Sequence, residues 1–124
     1  MGESKLRTIH VVDDDYDVRD SMRVLLDSLG FKVRTFASAA EYLSAPAGEV
    51  ADCMLLDLQM PGMTGLELLE TLRARNIQAP AIIVTSNDGK FDPRMARAGV
   101  LAVLRKPVAG AALLQAIDQA CGPG

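Results

Sequence analysis

Apolar residues in this chain gather into five short runs, separated by longer stretches in which they recur at helical spacing. The first run, Thr8–Val12, is followed at once by Asp13-Asp14-Asp15. Residues 16–29 then place Val18, Met22, Leu25, Leu26 and Leu29 at helical intervals, and Gly30 ends the segment. Residues 31–36 alternate as a strand does, with Phe31, Val33 and Thr35 set against Lys32, Arg34 and Phe36. Ser38 caps a short predicted helix through Leu43, with Glu41 at the capping-box position, and Ala45-Pro46-Ala47-Gly48 reads as a loop. Residues 53–56 are apolar at every position, the pattern of a strand covered on both faces.

The second half continues the alternation. Thr64 or Gly65 opens a helix carrying Leu66, Leu68, Leu69 and Leu72. Residues 81–84 form a fourth strand after Pro80, and Asn87-Asp88-Gly89 is a turn. Asp92-Pro93 has the form of a cap with proline in the first helical turn, and that helix ends near Gly99. Residues 101–104 are the fifth strand and residues 111–120 an alanine-rich closing helix. Five strands separated by helices, with no repeat or linker, predict one α/β domain: a doubly wound, five-stranded parallel sheet in a three-layer sandwich. Sites in such sheets lie beyond the carboxyl ends of the strands. Asp13–Asp15, Asp57, Thr85-Ser86 and Lys106 all fall at such ends, which a random scatter of polar residues would not do.

Composition narrows the function classes. The 124 residues suit one domain, expected to span 1–124 with its core at about 5–120. A net charge of −3 with scattered basic residues gives no reason to expect direct nucleic-acid contact. Arg73 and Arg75 read as the charged end of a helix. No apolar stretch approaches bilayer-spanning length, and residues 1–6 lack the apolar segment of a signal peptide, so cytoplasm is the default compartment. Two cysteines are too few for a disulfide framework or a zinc site; Cys53 reads as buried and Cys121 as part of a fraying terminus. The sole histidine, His10, is read as a sheet residue rather than a ligand.

The chemistry concentrates on carboxylates. Asp57 closes the apolar run Cys53-Met54-Leu55-Leu56 and is followed by the rigid turn Met60-Pro61-Gly62, beneath which Met60 and Met63 are expected to pack. Asp14 and Asp57, brought together at the ends of two strands, would repel unless a cation or shared proton compensates. Mg²⁺ suits such a site, since it takes a few carboxylate oxygens and keeps waters for an exchanging phosphoryl ligand. The blander reading of Asp13–Asp15 is a helix cap with acids in the first turn. Lys106 could reach over the crevice as a point charge, and Pro107 admits a cis bond that the sequence alone does not decide. A hydroxyl at Thr85 or Ser86 could donate to a phosphoryl oxygen.

Val11-Val12-Asp13-Asp14-Asp15, Leu55-Leu56-Asp57 through Met60-Pro61-Gly62-Met63-Thr64-Gly65, Val84-Thr85-Ser86 and Lys106-Pro107, in that order, resemble the receiver domain of bacterial two-component response regulators. The resemblance runs from about Lys5 to Ala120, and is greatest to receivers that precede a helix-turn-helix transcriptional output domain. It implies a flavodoxin-like sandwich with strand order 2-1-3-4-5. It implies that Asp57 accepts a phosphoryl group from the histidine of a sensor kinase or phosphotransfer protein. Asp14, Asp57 and the backbone carbonyl of Gln59 would hold Mg²⁺, with Asp13 assisting, while Thr85 and Lys106 would bond the phosphoryl oxygens. Gln59 and Asn87 would tune its lifetime. Such a domain catalyses its own phosphorylation and slow dephosphorylation without turning over a free substrate. It would act on a downstream protein or a fused output domain, and the resemblance allows a homodimer through the last helix.

Two residues depart from the family pattern. Ser86 stands where a smaller residue is usual, adding a hydroxymethyl that could narrow access or form a hydrogen bond. Val103 stands in the fifth strand where an aromatic ring is usual. The segment Asp88 to Pro93 is also unusual. Of the rival readings, an aspartyl phosphatase resembling the haloacid dehalogenases wants a second aspartate where Gln59 stands. A flavin or nucleotide carrier wants a glycine-rich phosphate loop where Asp13–Asp15 stand. The stronger rival is an interaction module that keeps the fold and signals without phosphorylation.

Overall fold

The structure, a computed structural model, describes residues 7–45, 50–86 and 92–122. Among these, five strands alternate with five helices: β1 (Thr8–Val12), α1 (Tyr16–Ser28), β2 (Lys32–Phe36), α2 (Ala39–Ser44), β3 (Cys53–Asp57), α3 (Gly65–Ala74), β4 (Ala81–Thr85), α4 (Pro93–Ala98), β5 (Val100–Arg105) and α5 (Gly110–Cys121). The strands are parallel and lie in the order β2-β1-β3-β4-β5. This is the predicted doubly wound sheet, a flavodoxin-like sandwich. The expected loop around Pro46 and turn at Asn87 lie outside the described residues.

The continuous apolar runs are explained by two cores, one on each face of the sheet. Met54, Leu56 and Ile83 face α3 and α4, packing with Leu66, Leu68, Leu69, Leu72 and Met95. Cys53, Leu55, Ile82 and Val84 face the other way, against Met22 and Leu26 of α1 and Leu113 and Ile117 of α5. Successive strand residues point to opposite faces, so a strand with a core on each side must be apolar throughout. Met60 is buried in the α3 side core and Met63 packs against it, as expected of thioethers under an irregular turn.

Strand and helix ends differ from the sequence reading in ways that matter. β2 begins at Lys32 rather than Phe31. β3 and β4 each run one residue further, so Asp57 and Thr85 are the last residues of their strands; Leu58 N still donates to Val84 O at 2.9 Å. Cys121 is not a fraying residue: it closes α5, half-buried against the core containing Cys53, with its thiol 3.4 Å from the Asp52 carbonyl. β5 spans Val100–Arg105 and pairs Ala81 with Val100 but Ile82 with Ala102, so Leu101 is the extra residue and is exposed.

Local capping sets where helices begin. Ser38 accepts from Glu41 N as predicted, but the Glu41 carboxylate accepts from Ala37 N, one residue before the cap. Thr64 and Glu67 form a complete capping box on α3. Asp92 caps α4, with Pro93 in its first turn and Gly99 ending it at φ 83°. Arg73 does more than end α3. Its guanidinium donates to the carbonyls of Ala98, Ile77 and Ala79 at 2.8–2.9 Å, tying the end of α4 and the entrance to β4 to one side chain.

Gly65 is required by a close approach. A Cβ there would land on the Asp57 carbonyl oxygen and lie 2.9 Å from its carbon. With Gly65 N also bonded to Leu58 O at 3.1 Å, glycine lets the start of α3 press directly on the end of β3. Replacing Gly65 with Ala is therefore expected to destabilise the domain by about 1–3 kcal/mol through backbone displacement, measured by urea unfolding. An unchanged midpoint would show that α3 can retreat without cost.

Candidate functional site

The three consecutive aspartates after β1 have divided duties. Asp15 is the cap of α1, its carboxylate accepting from Val18 N at 3.1 Å, so the bland reading holds for this residue alone. Asp13 turns inward and is buried at 3% exposure. Its Oδ1 accepts from Asp15 N at 2.9 Å, and its carbonyl accepts from Arg19 Nη1 at 2.9 Å. Arg19 was not singled out from the sequence. Its signal was its place four residues after Asp15, from which a helical side chain leans back over the loop. Asp14 is exposed at the mouth.

Asp57 lies on the neighbouring strand, 4% exposed, and its Oδ1 accepts from Gln59 N at 3.3 Å. Carboxylate oxygens of Asp13, Asp14 and Asp57 all lie within 4.8 Å of one another. Lys106, at the end of β5, reaches across β4 to this group. Its Nζ is 2.9 Å from Asp13 Oδ2 and 3.4 Å from Asp57 Oδ1. The Lys106–Pro107 peptide bond is cis. Thr85 is fully buried beside them, its carbonyl accepting from Lys106 N at 2.8 Å. Asp13, Asp14, Asp57, Thr85 and Lys106 are thus brought to one end of the sheet, and Gln59 contributes its backbone. Asn87 lies outside the described residues.

One contact at the mouth engages Ser86, the first of the two departures from the family pattern. Ser86 Oγ donates to Gln59 Oε1 at 3.0 Å, linking the loop after β4 to the loop after β3. Val103 is partly buried against the core on the α3 side and, being aliphatic, places no aromatic ring there. His10 is a buried sheet residue, as read from the sequence, with Nδ1 2.8 Å from the Tyr42 hydroxyl and its ring edge-on to Phe36 and Tyr42.

Electrostatics in the site are tense. Burial, followed by the nearby Asp13 charge, pushes the Asp57 carboxyl up to about 6, against the opposing pull of Lys106. Burial works against the Lys106 charge, yet its bonds to Asp13 and Asp57 raise its ammonium above the ordinary value. Three clustered carboxylates with one lysine form a hard, oxygen-rich donor set with net negative charge. That set fits a small divalent cation such as Mg²⁺, which compensates the remaining charge and accepts few protein ligands.

Residues 9–118 match the response regulator receiver domain family, and the chain belongs to it. The transcriptional regulatory protein TdiR of Thauera aromatica is 35% identical over 114 residues, a match covering 91% of this chain and 50% of TdiR. The transcriptional regulatory protein FixJ of Azorhizobium caulinodans is 36% identical, covering 92% of this chain and 54% of FixJ. The chain therefore spans about half the length of these curated relatives. The structure of the response regulator StyR superposes with a TM-score of 0.86 at 41% identity, covering 94% of this chain and 60% of that one. The cluster of Asp13, Asp14 and Asp57 is positioned as in phosphoacceptor receiver domains, an arrangement consistent with magnesium-dependent phosphotransfer. Among the described residues no helix is long and apolar enough to cross a membrane.

The raised Asp57 has a definite consequence for the metal-free protein. Its protonated form favours folding, so this contribution is full below about pH 4 and is lost as pH rises through about 6. Urea unfolding in chelator should therefore show the wild type losing stability relative to Asp57→Asn across that window, on the order of 2 kcal/mol. A difference that is flat or of opposite sign would place the titration elsewhere.

Proposed function

We propose that this domain is a phosphorelay receiver in which Asp57 accepts a phosphoryl group from the phosphohistidine of a sensor kinase or phosphotransfer protein. The observation that carries this reading is Lys106 Nζ held between Asp13 and Asp57 inside the three-carboxylate cluster. A buried, ionised nucleophile needs its charge compensated and its orientation fixed, and the site supplies both. Asp14, Asp57 and the Gln59 carbonyl would hold Mg²⁺, with Asp13 fixing the loop that carries Asp14. When bound, the metal supplies positive charge to the transferring oxygens.

The chain's own residues do the rest. A carboxylate oxygen of Asp57 bonds to phosphorus in line as the phosphorus–nitrogen bond breaks, and the imidazole, already protonated on its other ring nitrogen, departs neutral. Lys106 pairs with the arriving oxygens, and the Thr85 hydroxyl donates to one of them. The added charge and acceptor oxygens then bias the loop after β4, α4 and β5 toward a second arrangement. Val103 supplies no ring for that change, so the readout is borne by the backbone and by Thr85. The domain works in the cytoplasm, on a downstream protein or an attached helix-turn-helix output domain, and dimerises through α5. Within this reading the domain touches no nucleic acid itself.

Intact-protein mass after incubation with a small phosphodonor and Mg²⁺ tests the reading. One phosphoryl adduct is expected in the wild type and none in Asp57→Asn or in chelator. Absence of an adduct from a folded, metal-supplied protein would favour a phosphorylation-independent interaction module, the alternative that Val103 keeps in play.

A further inference from the structure

Gln59 and Ser86 are both exposed at the mouth of the site, on the loops that leave the two adjacent strands β3 and β4. Gln59 is fixed at its backbone, where its N–H donates to Asp57 Oδ1. Its side chain is fixed separately, through Oε1, which accepts from Ser86 Oγ at 3.0 Å. Ser86 follows Thr85 directly, and the Thr85 carbonyl is bonded by Lys106 N, so the serine is anchored to the strand end that flanks the site. The described part of each loop is thus pinned on its strand, and the hydroxyl–carboxamide bond spans the gap between them.

A carboxamide has one acceptor end and one donor end. With Oε1 turned to the serine, the N–H₂ end of the Gln59 carboxamide is turned away from Ser86. Donors of this kind favour phosphoryl oxygens, but they do not accept a hydrogen bond from an attacking water. We propose that Ser86 is a positioning residue that locks Gln59 in this donor orientation and so lengthens the life of the Asp57 acyl phosphate. The inference rests on the receiver reading above and concerns only the step that ends the signal. In that step water oxygen bonds to phosphorus while the bond from phosphorus to the Asp57 oxygen breaks. The products are the Asp57 carboxylate and dihydrogen phosphate, which carries both protons of the water. Without the serine hydroxyl, the carboxamide is free to turn, and Oε1 can accept from that water and orient it in line.

The test follows the loss of the phosphoryl adduct by intact mass after donor removal, in the wild type, Ser86→Ala, Ser86→Thr, Gln59→Ala and the Ser86→Ala/Gln59→Ala double variant. Ser86→Ala is expected to lose the group roughly three- to tenfold faster, the scale of one net hydrogen bond. Ser86→Thr, which retains a hydroxyl, should restore the slow rate. In the Gln59→Ala background the serine substitution should have no effect, a coupling that mere loosening of the loop would not give. The Gln59 side-chain amide resonances of the unphosphorylated protein should also move in Ser86→Ala and return in Ser86→Thr. An unchanged or longer lifetime in Ser86→Ala, or an equal acceleration without Gln59, overturns the positioning role while leaving the receiver reading intact. A wild type that takes up no phosphoryl group defeats both.

Discussion

Two carboxylates, each about 4% exposed or less, sit at the ends of adjacent strands and share one ammonium. That arrangement constrains everything around it. Asp13 and Asp57 are held close by the β1–β3 register, which the covalent chain cannot relax without slipping an entire strand. Lys106 must come from the far side of β4, so β5 has to lie at the sheet edge in parallel register for its end to arrive there. One lysine does not neutralise three acids. Burial, and then the Asp13 charge that Lys106 only partly offsets, hold the Asp57 carboxyl above its ordinary value.

The same tension makes the site suitable for receiving charge rather than merely storing it. A carboxylate held above its ordinary range by burial and a neighbour is relieved when a cation enters, so on the proposed reading metal binding and readiness for phosphoryl transfer would be linked through one group. The surrounding structure is stiff where it must be. Gly65 lets α3 press on the Asp57 carbonyl, Asp15 N–H orients Asp13, and Arg19 clamps the Asp13 backbone. Stiffness is shared out differently on the α4 side. There Arg73 binds the last turn of α4, and Arg94 at its start forms a bidentate pair with Glu70 of α3. Exposed pairs of this kind contribute little to stability.

Much of this was legible in the sequence because the chain alternates so regularly. Continuous apolar runs identified the buried strands, and Ser38, Thr64, Asp92 and Gly99 announced helix ends through chemistry that acts within a few residues. Asp57, Lys106, Thr85 and the acidic triplet stood out because each followed a strand. The reading was weaker wherever a residue's partner is distant in the chain. Arg73 looked like an ordinary helix-end cation, yet it serves three carbonyls, one of them in α4. Cys121 looked terminal and loose, yet it packs on the core that holds Cys53. Neither fact has a local signature.

By itself, the sequence determined the order of elements, the class of fold and the residues able to carry charge at the strand ends, because these follow from periodicity and short-range capping. It did not determine which of Asp13, Asp14 and Asp15 turns inward, since all three are chemically alike and adjacent. The tertiary structure decided that, giving Asp15 to the helix, Asp13 to the lysine and Asp14 to the mouth. It also decided that Ser86 meets Gln59 rather than solvent, and that Leu101 is the bulged residue of β5. The physical reason is common to these cases: each depends on the register between strands brought together across the sheet, and register is fixed by the packing of two whole cores, not by any residue's neighbours in the chain.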